Sequence, residues 1–371
     1  MNNAPLRIAV IGAGRLGTFH ARLAAKSDAF ELVAVADPSE DARQQLAGEV
    51  GAEAVACPSR LLGHIDAAIV ATPTVTHHAI TGPLLKAGVH TLIEKPLTPT
   101  ASEADDLVQT ADASGAVLQV GHVERFNPAV AAAGDTLRDP KFIQASRTSG
   151  YTFRSTDIGA VLDLMIHDID LVLSLDGTEV TDVSAIGVSV LGDHEDIASA
   201  QLTFASGCVA QLTASRVSYD AQRSMQVFTT RGFASLDFAT GKATTVRPRE
   251  DVLRRAFRVA DLSADERERL RVGLFDELLV KETAEAPAVN AIDEEQQDFA
   301  DAIRSGRSPR VSGAAGRDAV VVANRVLEKI AEHLWDGDAT GRVGMFPTPA
   351  LPILQLPAAA SIVSPPTRKA G

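Results

Sequence analysis

Lys95 stands in the tripeptide Glu94-Lys95-Pro96, closing the apolar run Thr91-Leu92-Ile93 about eighty residues beyond a glycine-rich turn. An amine placed there reaches a bound cofactor and its substrate together, and the proline behind it holds residue 95 extended. Asp163 and His167 lie four residues apart within Leu162-Asp163-Leu164-Met165-Ile166-His167-Asp168-Ile169-Asp170, a spacing that puts both on one face of a helix. Amine, carboxylate and imidazole make a proton-handling set. The segment around the last two is otherwise apolar, so their polar groups bear a burial cost unless bonded or used. The bland alternatives are a hydrogen-bonded core histidine and an ordinary surface lysine. A metal reading needs a third ligand, for which Asp168 and Asp170 are candidates by composition alone. Nothing else stands at ligand spacing, and no metal is expected.

The glycine turn is Gly12-Ala13-Gly14-Arg15-Leu16-Gly17. A bare GxGxxG is weak, but here a strand precedes it, a helix follows and an acid ends the next strand. Gly12 and Gly14 permit the tight turn and the approach of a pyrophosphate to the backbone. Arg15 and Leu16 open the helix whose N-terminus favours that negative charge, and Gly17 lets helix and sheet pack closely. Asp37 follows Gly17 by twenty residues and accepts from both ribose hydroxyls. A carboxylate there repels a 2′-phosphate and Pro38-Ser39 supplies no arginine, so NAD is expected over NADP. Thr72-Pro73, just past another strand end, falls on the ligand-binding edge of the sheet, which makes Thr72 a candidate contact of the nicotinamide ribose. His77, at the next helix start, is a candidate for the same site, although such histidines more often pack or face solvent. Glu94 pairs with cations or the ribose, or is purely structural.

These residues need an alternating β/α frame. Strands are expected at Leu6 to Ile11, Leu32 to Ala36, Asp66 to Ala71, Thr91 to Ile93 and Ala116 to Val120. Helices from the glycine turn to Lys26, from Glu40 to Val50, from Thr76 to Ala87 and from Ala101 to Ser114 separate them. That is an α/β, doubly wound parallel sheet of the Rossmann kind. Beyond Asn127-Pro128 the pattern changes. An apolar helix over Ala160 to Leu175 precedes alternating runs, among them a hairpin turning at Ser206-Gly207 and strands at Met225 to Thr229 and Ala234 to Phe238. This predicts an α+β domain with a large, mostly antiparallel sheet. Residues 247–286 are dense in charge and are expected as helices or an exposed excursion; Asp293 to Ser305 and Gly316 to His333 have helical spacing. The expected division is 1–127 for dinucleotide binding, 128–342 for substrate binding and oligomerisation, and a proline-rich strap from 343 to 371.

Composition narrows the function. With 371 residues and 45% hydrophobic content the chain has length for two domains. A net charge of −13 argues against nucleic-acid binding, which needs clustered cations. No apolar run approaches the length of a membrane span, and the N-terminus lacks the basic region of a signal peptide, so a cytoplasmic protein is expected. Cys57 and Cys208 alone make neither a disulfide framework nor a zinc site.

Taken with Thr72-Pro73 and His77, and with Arg125-Phe126-Asn127-Pro128, these motifs resemble the Gfo/Idh/MocA oxidoreductases over residues 6 to about 335. The resemblance implies a catalytic Lys95, an orienting or substrate-binding Asp163 and a proton-transferring His167. More narrowly, Gly121 to Pro128, Ser149 to Gly159 and Met165 to Asp170 look like the branch of UDP-N-acetylglucosamine 3-dehydrogenases, which serve lipid A variants bearing an amino group at C3. The departure is that only Gly159 stands near the aspartate, where many relatives carry a glycine run. His167, helped by Lys95 and held in register by Asp163, is then expected to take the hydroxyl proton while hydride passes to NAD, failing near or below pH 6.5 if its pKa is unperturbed. Arg125, Arg154 and Arg216 are the candidate cations for a diphosphate, with Asn127 beside them. The same resemblance implies a homodimer or homotetramer through the second sheet, and an aminotransferase as the downstream partner. The rivals are oxidation of a free polyol such as inositol, reduction of a sugar lactone or ketone with NADPH, and a non-catalytic NAD-binding sensor or scaffold; the last has no need of the lysine, aspartate and histidine together.

Overall fold

The computed structural model describes residues 4–153, 157–191, 194–287, 289–333 and 346–347. Strands made almost wholly of apolar residues need cover on both faces, and the first half of the chain is built around them. Its elements run β1 (Leu6–Ile11), α1 (Arg15–Ala24), β2 (Phe30–Ala36), α2 (Glu40–Val50), β3 (Glu53–Val55), β4 (Ala67–Val70), α3 (His77–Lys86), β5 (His90–Glu94), α4 (Ala101–Ser114) and β6 (Leu118–Gly121). The sheet is parallel, in the order β3-β2-β1-β4-β5-β6. Strand order reverses between β1 and β4, and folds of this kind bind ligands at that switch point. Ser39 and Thr100 cap α2 and α4 through their side chains.

Asn127 caps α5 (Pro128–Ala133), and β7 (Pro140–Thr148) then begins the second sheet. A π-helical turn over Val161–Met165 runs into α6 (Ile166–Asp176), followed by β8 (Val180–Ser189), β9 (Ile197–Phe204), β10 (Val209–Ser215), β11 (Gln222–Thr229), β12 (Gly232–Asp237) and β13 (Lys242–Pro248). Next come α7 (Glu250–Leu253), α8 (Ala264–Val272), β14 (Leu279–Glu285), α9 (Ala291–Ser305), α10 (Gly313–Glu332) and β15 (Phe346–Pro347). The order is β14-β13-β12-β11-β7-β10-β9-β8-β15, antiparallel except where β10 runs parallel to β7. This is the expected α/β frame with its mostly antiparallel second sheet. The charged stretch over 247–286 holds two short helices and also β14, an edge strand exposed along most of its length. An edge strand with solvent on both sides needs no alternation of apolar and polar residues, which is why charge density concealed it. Of the proline-rich tail, Phe346 and Pro347 pair with β8, and the remainder lies outside the described residues.

One face of the second sheet is covered by α6 and α10. The opposite face carries a row of exposed uncharged residues in register, Ser184, Gln201, Gln211, Gln144 and Gln226. The last two long helices return to the first sheet. Phe299 and Ala300 of α9 are fully buried in one core with Ile8, Val10, Ile69 and Leu92. Gly313 and Gly316 of α10 lie so close to β6 that a Cβ on them meets Leu118 at 2.6 Å and Val120 at 2.4 Å. Among the described residues no helix is long and apolar enough to cross a membrane. Replacing Phe299 by Ala is expected to lower stability by about 3–5 kcal/mol, seen as a fall in the urea midpoint with an unchanged slope.

Candidate active site

At the switch point the glycine turn is held by sterics. Gly12 has φ +103°, and a Cβ there falls 2.3 Å from the carbonyl oxygen of Ala71; a Cβ on Gly17 falls 1.8 Å from that of Gly12. Only glycine fits either place. Gly14, by contrast, has nothing within 4 Å and begins α1 without a side-chain cap, so its end of the helix is open to an anion. The Asp37 carboxylate accepts from the backbone N–H of Ala13 (2.7 Å) and of Ser39 (2.8 Å), tying the end of β2 to the turn. Each oxygen keeps a lone pair for a ribose hydroxyl. Arg43 reaches back from α2 to the carbonyls of Pro38 (3.1 Å) and Asp37 (3.4 Å), a cation that a reading confined to Pro38-Ser39 missed.

His77 is a brace. It is 1% exposed, with Nε2 at 2.9 Å from the Thr72 carbonyl and Nδ1 at 2.9 Å from that of Pro96, so it joins the loop after β4 to the loop after β5. Burial lowers its pKa. The Thr72 hydroxyl accepts from Thr76 at 2.8 Å, beside Pro73. Glu94 is also committed inside the protein. His20 of α1 donates to it from Nε2 (2.8 Å), and Gln296 of α9 donates to Nδ1 of the same ring (2.9 Å), which fixes the tautomer. Burial pushes the Glu94 carboxyl upward, but His20 and Lys95 outweigh it and hold it below the usual range.

Leu16, Thr72, Pro73, Lys95 and Asp163 line one recess together with Asp157. The Lys95 Nζ donates across it to the Asp163 carbonyl (2.7 Å) and to its Oδ1 (3.1 Å). Asp163 sits in the π turn, whose start is held by Glu195: its Oε1 accepts from the N–H of Val161 at 2.9 Å. A Cβ on Gly159 falls 2.1 Å from that carboxylate, so a larger residue there would have to displace it. His167, in the first turn of α6, does not line the recess. Its Nδ1 is buried without a partner, which leaves Nε2 as the accessible nitrogen. Asp163 therefore clamps Lys95 and does not hold the imidazole in register. The π turn takes Asp163 out of the one-face α register that a four-residue spacing implies. Burial, then the cations Lys95 and Arg147, push the His167 pKa well below 6.5, so the unperturbed value expected from sequence does not apply.

The candidate cations are mostly engaged. Arg125 forms a two-pronged pair with the buried Asp170 (2.6 and 2.8 Å). Arg216 bonds Asp196 (2.6 Å) and the Ile158 carbonyl (2.7 Å) under the Tyr151 ring. Asn127 bonds Glu124 and the Phe238 carbonyl besides capping α5. Arg154 lies outside the described residues. Arg147, which the sequence reading passed over, is buried and bonded to both oxygens of Asp168 (2.8 and 3.1 Å) and to Glu124 (2.7 Å). Its inward place on β7, in step with Ile143 and Ala145, was the available signal. Asp168 and Asp170 are thus ion-pair partners, and among the described residues no group of three His, Cys, Asp or Glu is arranged for a metal.

An open-ended dinucleotide cradle beside a clamped ammonium defines an NAD-binding oxidoreductase. Residues 6–122 match the family model described as "Oxidoreductase family, NAD-binding Rossmann fold", and residues 130–235 match the "GFO/IDH/MocA C-terminal domain". The chain belongs to the Gfo/Idh/MocA family. It is 40% identical over 234 residues to the UDP-N-acetylglucosamine 3-dehydrogenase of Acidithiobacillus ferrooxidans, covering 63% of this chain and 74% of that one. A solved structure of that enzyme superposes with a TM-score of 0.76 at 34% identity, over 88% of this chain and 97% of that one. The myo-inositol 2-dehydrogenase of Thermotoga maritima is 28% identical over 347 residues, 88% of this chain and 97% of its own. Lys95→Met is expected to retain NAD binding, followed by NADH fluorescence, while turnover falls by about 10²-fold or more.

Proposed function

We propose that the protein oxidises the C3 hydroxyl of UDP-N-acetylglucosamine with NAD, in the cytoplasm, giving a 3-keto sugar for an aminotransferase in lipid A or surface polysaccharide synthesis. The observation that carries the chemistry is the Lys95 ammonium, held by Asp163 at the mouth of the dinucleotide cradle. The choice of sugar rests on likeness to the Acidithiobacillus enzyme. NAD, when bound, supplies the hydride acceptor; the turn from Gly12 to Gly17 and Asp37 hold it. Two of the three N–H donors of Lys95 are engaged by Asp163, and the third serves the substrate oxygen, favouring the alkoxide as it forms. His167 is the base, taking the proton at Nε2. The open sheet face with its glutamine row is the surface for a homodimer or homotetramer, since it presents hydrogen-bonding groups without like-charge repulsion.

A free polyol is the second reading, favoured by one observation. Lys95 is the single cation among the described residues lining the recess, beside Glu94, Asp157 and Asp163, and that lining suits a neutral ring of hydroxyls better than a diphosphate.

Incubation with NAD and a panel of UDP-hexoses, myo-inositol and scyllo-inositol separates the two. The expected outcome is NADH formation with UDP-N-acetylglucosamine and a product two hydrogens lighter. Turnover of an inositol alone moves the assignment to the polyol. The pH profile tests the base. His167 works when neutral, and its lowered pKa keeps it neutral further into acid, so the acid limb of kcat is expected below pH 6.5. An acid limb at or above that value removes His167 from the role.

A further inference from the structure

His122 directly follows β6, whose last residue Gly121 pairs with Glu94, so it leaves the sheet beside the strand end from which Lys95 leaves. It is 0% exposed, and neither of its ring nitrogens has a partner. The Nδ1 of His167 is likewise buried and unpartnered. The two rings face each other edge-on, with centroids 6.3 Å apart and planes at 87°. Three orphaned nitrogens between two neighbouring imidazoles are an unusual debt for a protein interior, where buried polar atoms are bonded to protein or to ordered water. Ring nitrogens lie roughly 1.1 Å from a centroid, so a direct N–H···N bond of about 2.9 Å brings centroids to roughly 5 Å, whereas one bridging water allows roughly 7 Å. The observed 6.3 Å is too long for a direct bond and leaves room between the rings for at most one water.

We propose that one ordered water bridges His122 and the Nδ1 of His167, and that His122 is the residue through which His167 discharges the substrate's proton. The inference rests on the oxidation proposed above. The substrate O–H bond breaks and the His167 Nε2–H bond forms; the Nδ1–H bond of the same ring breaks toward the water. The water passes one of its own protons to the free nitrogen of His122 and is regenerated. The positive charge so moves from a ring that Lys95 and Arg147 disfavour to one that the charges of Asp170 and Glu94 favour, against those of Arg125 and Lys95. Burial lowers the proton affinity of both histidines, and that of His167 falls further, so transfer runs toward His122. His122 touches no substrate in this scheme. It is a positioning and relay residue acting through His167.

Two measurements decide it. A high-resolution crystal structure of the unmodified protein is expected to show a water within about 3.2 Å of a His122 nitrogen and of the His167 Nδ1. The second is hydride transfer in a single turnover, on whichever of the UDP-hexoses or inositols the unmodified protein oxidises. There, His122→Phe and His122→Asn are expected to slow the step by about tenfold or more with NADH affinity unchanged, and to lower its solvent deuterium effect as one proton in flight is lost. A dry gap between the rings overturns the proposal, and so does a wild-type rate and isotope effect in either variant that melts normally. Should both variants misfold, the crystal water alone decides. Failure of the unmodified protein to oxidise any member of the panel instead sinks the substrate reading and leaves the water test standing.

Discussion

The hold of Asp163 on Lys95 is the contact on which the site depends, because its two residues come from different halves of the chain. Lys95 directly follows the fifth strand of the dinucleotide sheet, and Asp163 belongs to the turn that leads into α6 beneath the second sheet. A lysine side chain that is 13% exposed needs a counter-charge, and Asp163 supplies one from the other half of the chain. The position of α6 is in turn set by charge. Arg147 from β7 grips Asp168 on α6 and Glu124 in the short helical turn after β6, and Arg125 grips Asp170 two residues on. Breaking such a buried pair by deleting one partner leaves an uncompensated charge, a loss of about 3–5 kcal/mol. The ion pairs therefore act as a jig that sets where the π turn presents Asp163.

Burial, and then the same cations, lower the proton affinity of His167. A helix that carried only Asp168 and Asp170 beside it would surround the ring with negative charge and raise its proton affinity. Arg147 and Arg125 answer those carboxylates, and Lys95 and Arg147 add positive charge next to the ring. The imidazole is thus left as a neutral acceptor in an interior where a cation is disfavoured. Structural pairing and the proton affinity of this ring share one set of side chains.

Much of this was legible in the sequence, and the parts that were not have physical reasons. The parallel strands announced themselves because they are apolar on both faces, and the glycine turn because Gly12 and Gly17 meet carbonyl oxygens where no Cβ fits. The hairpin at Ser206-Gly207 followed from alternation and a left-handed glycine at 207. β14 escaped because an edge strand has no buried face to leave a pattern. The arginines proposed for a diphosphate could be picked by type, but their carboxylate partners lie 45 residues away for Arg125 and 20 for Arg216. One-dimensional spacing carries no record of such pairings. The π turn is a further case: helical periodicity located the segment and misplaced the direction of Asp163.

The return of α9 to the first sheet has a consequence for how such a protein is divided. The face of β1 and β4 is completed by Phe299 and Ala300, contributed almost two hundred residues after the last strand of that sheet. A cofactor module cut at residue 127 would carry away its glycine turn and strands yet leave their underside bare. Recombination between family members, in nature or by design, therefore has to move two separated segments as one cassette, or keep α9 and α1 from the same parent so that Gln296 still meets His20.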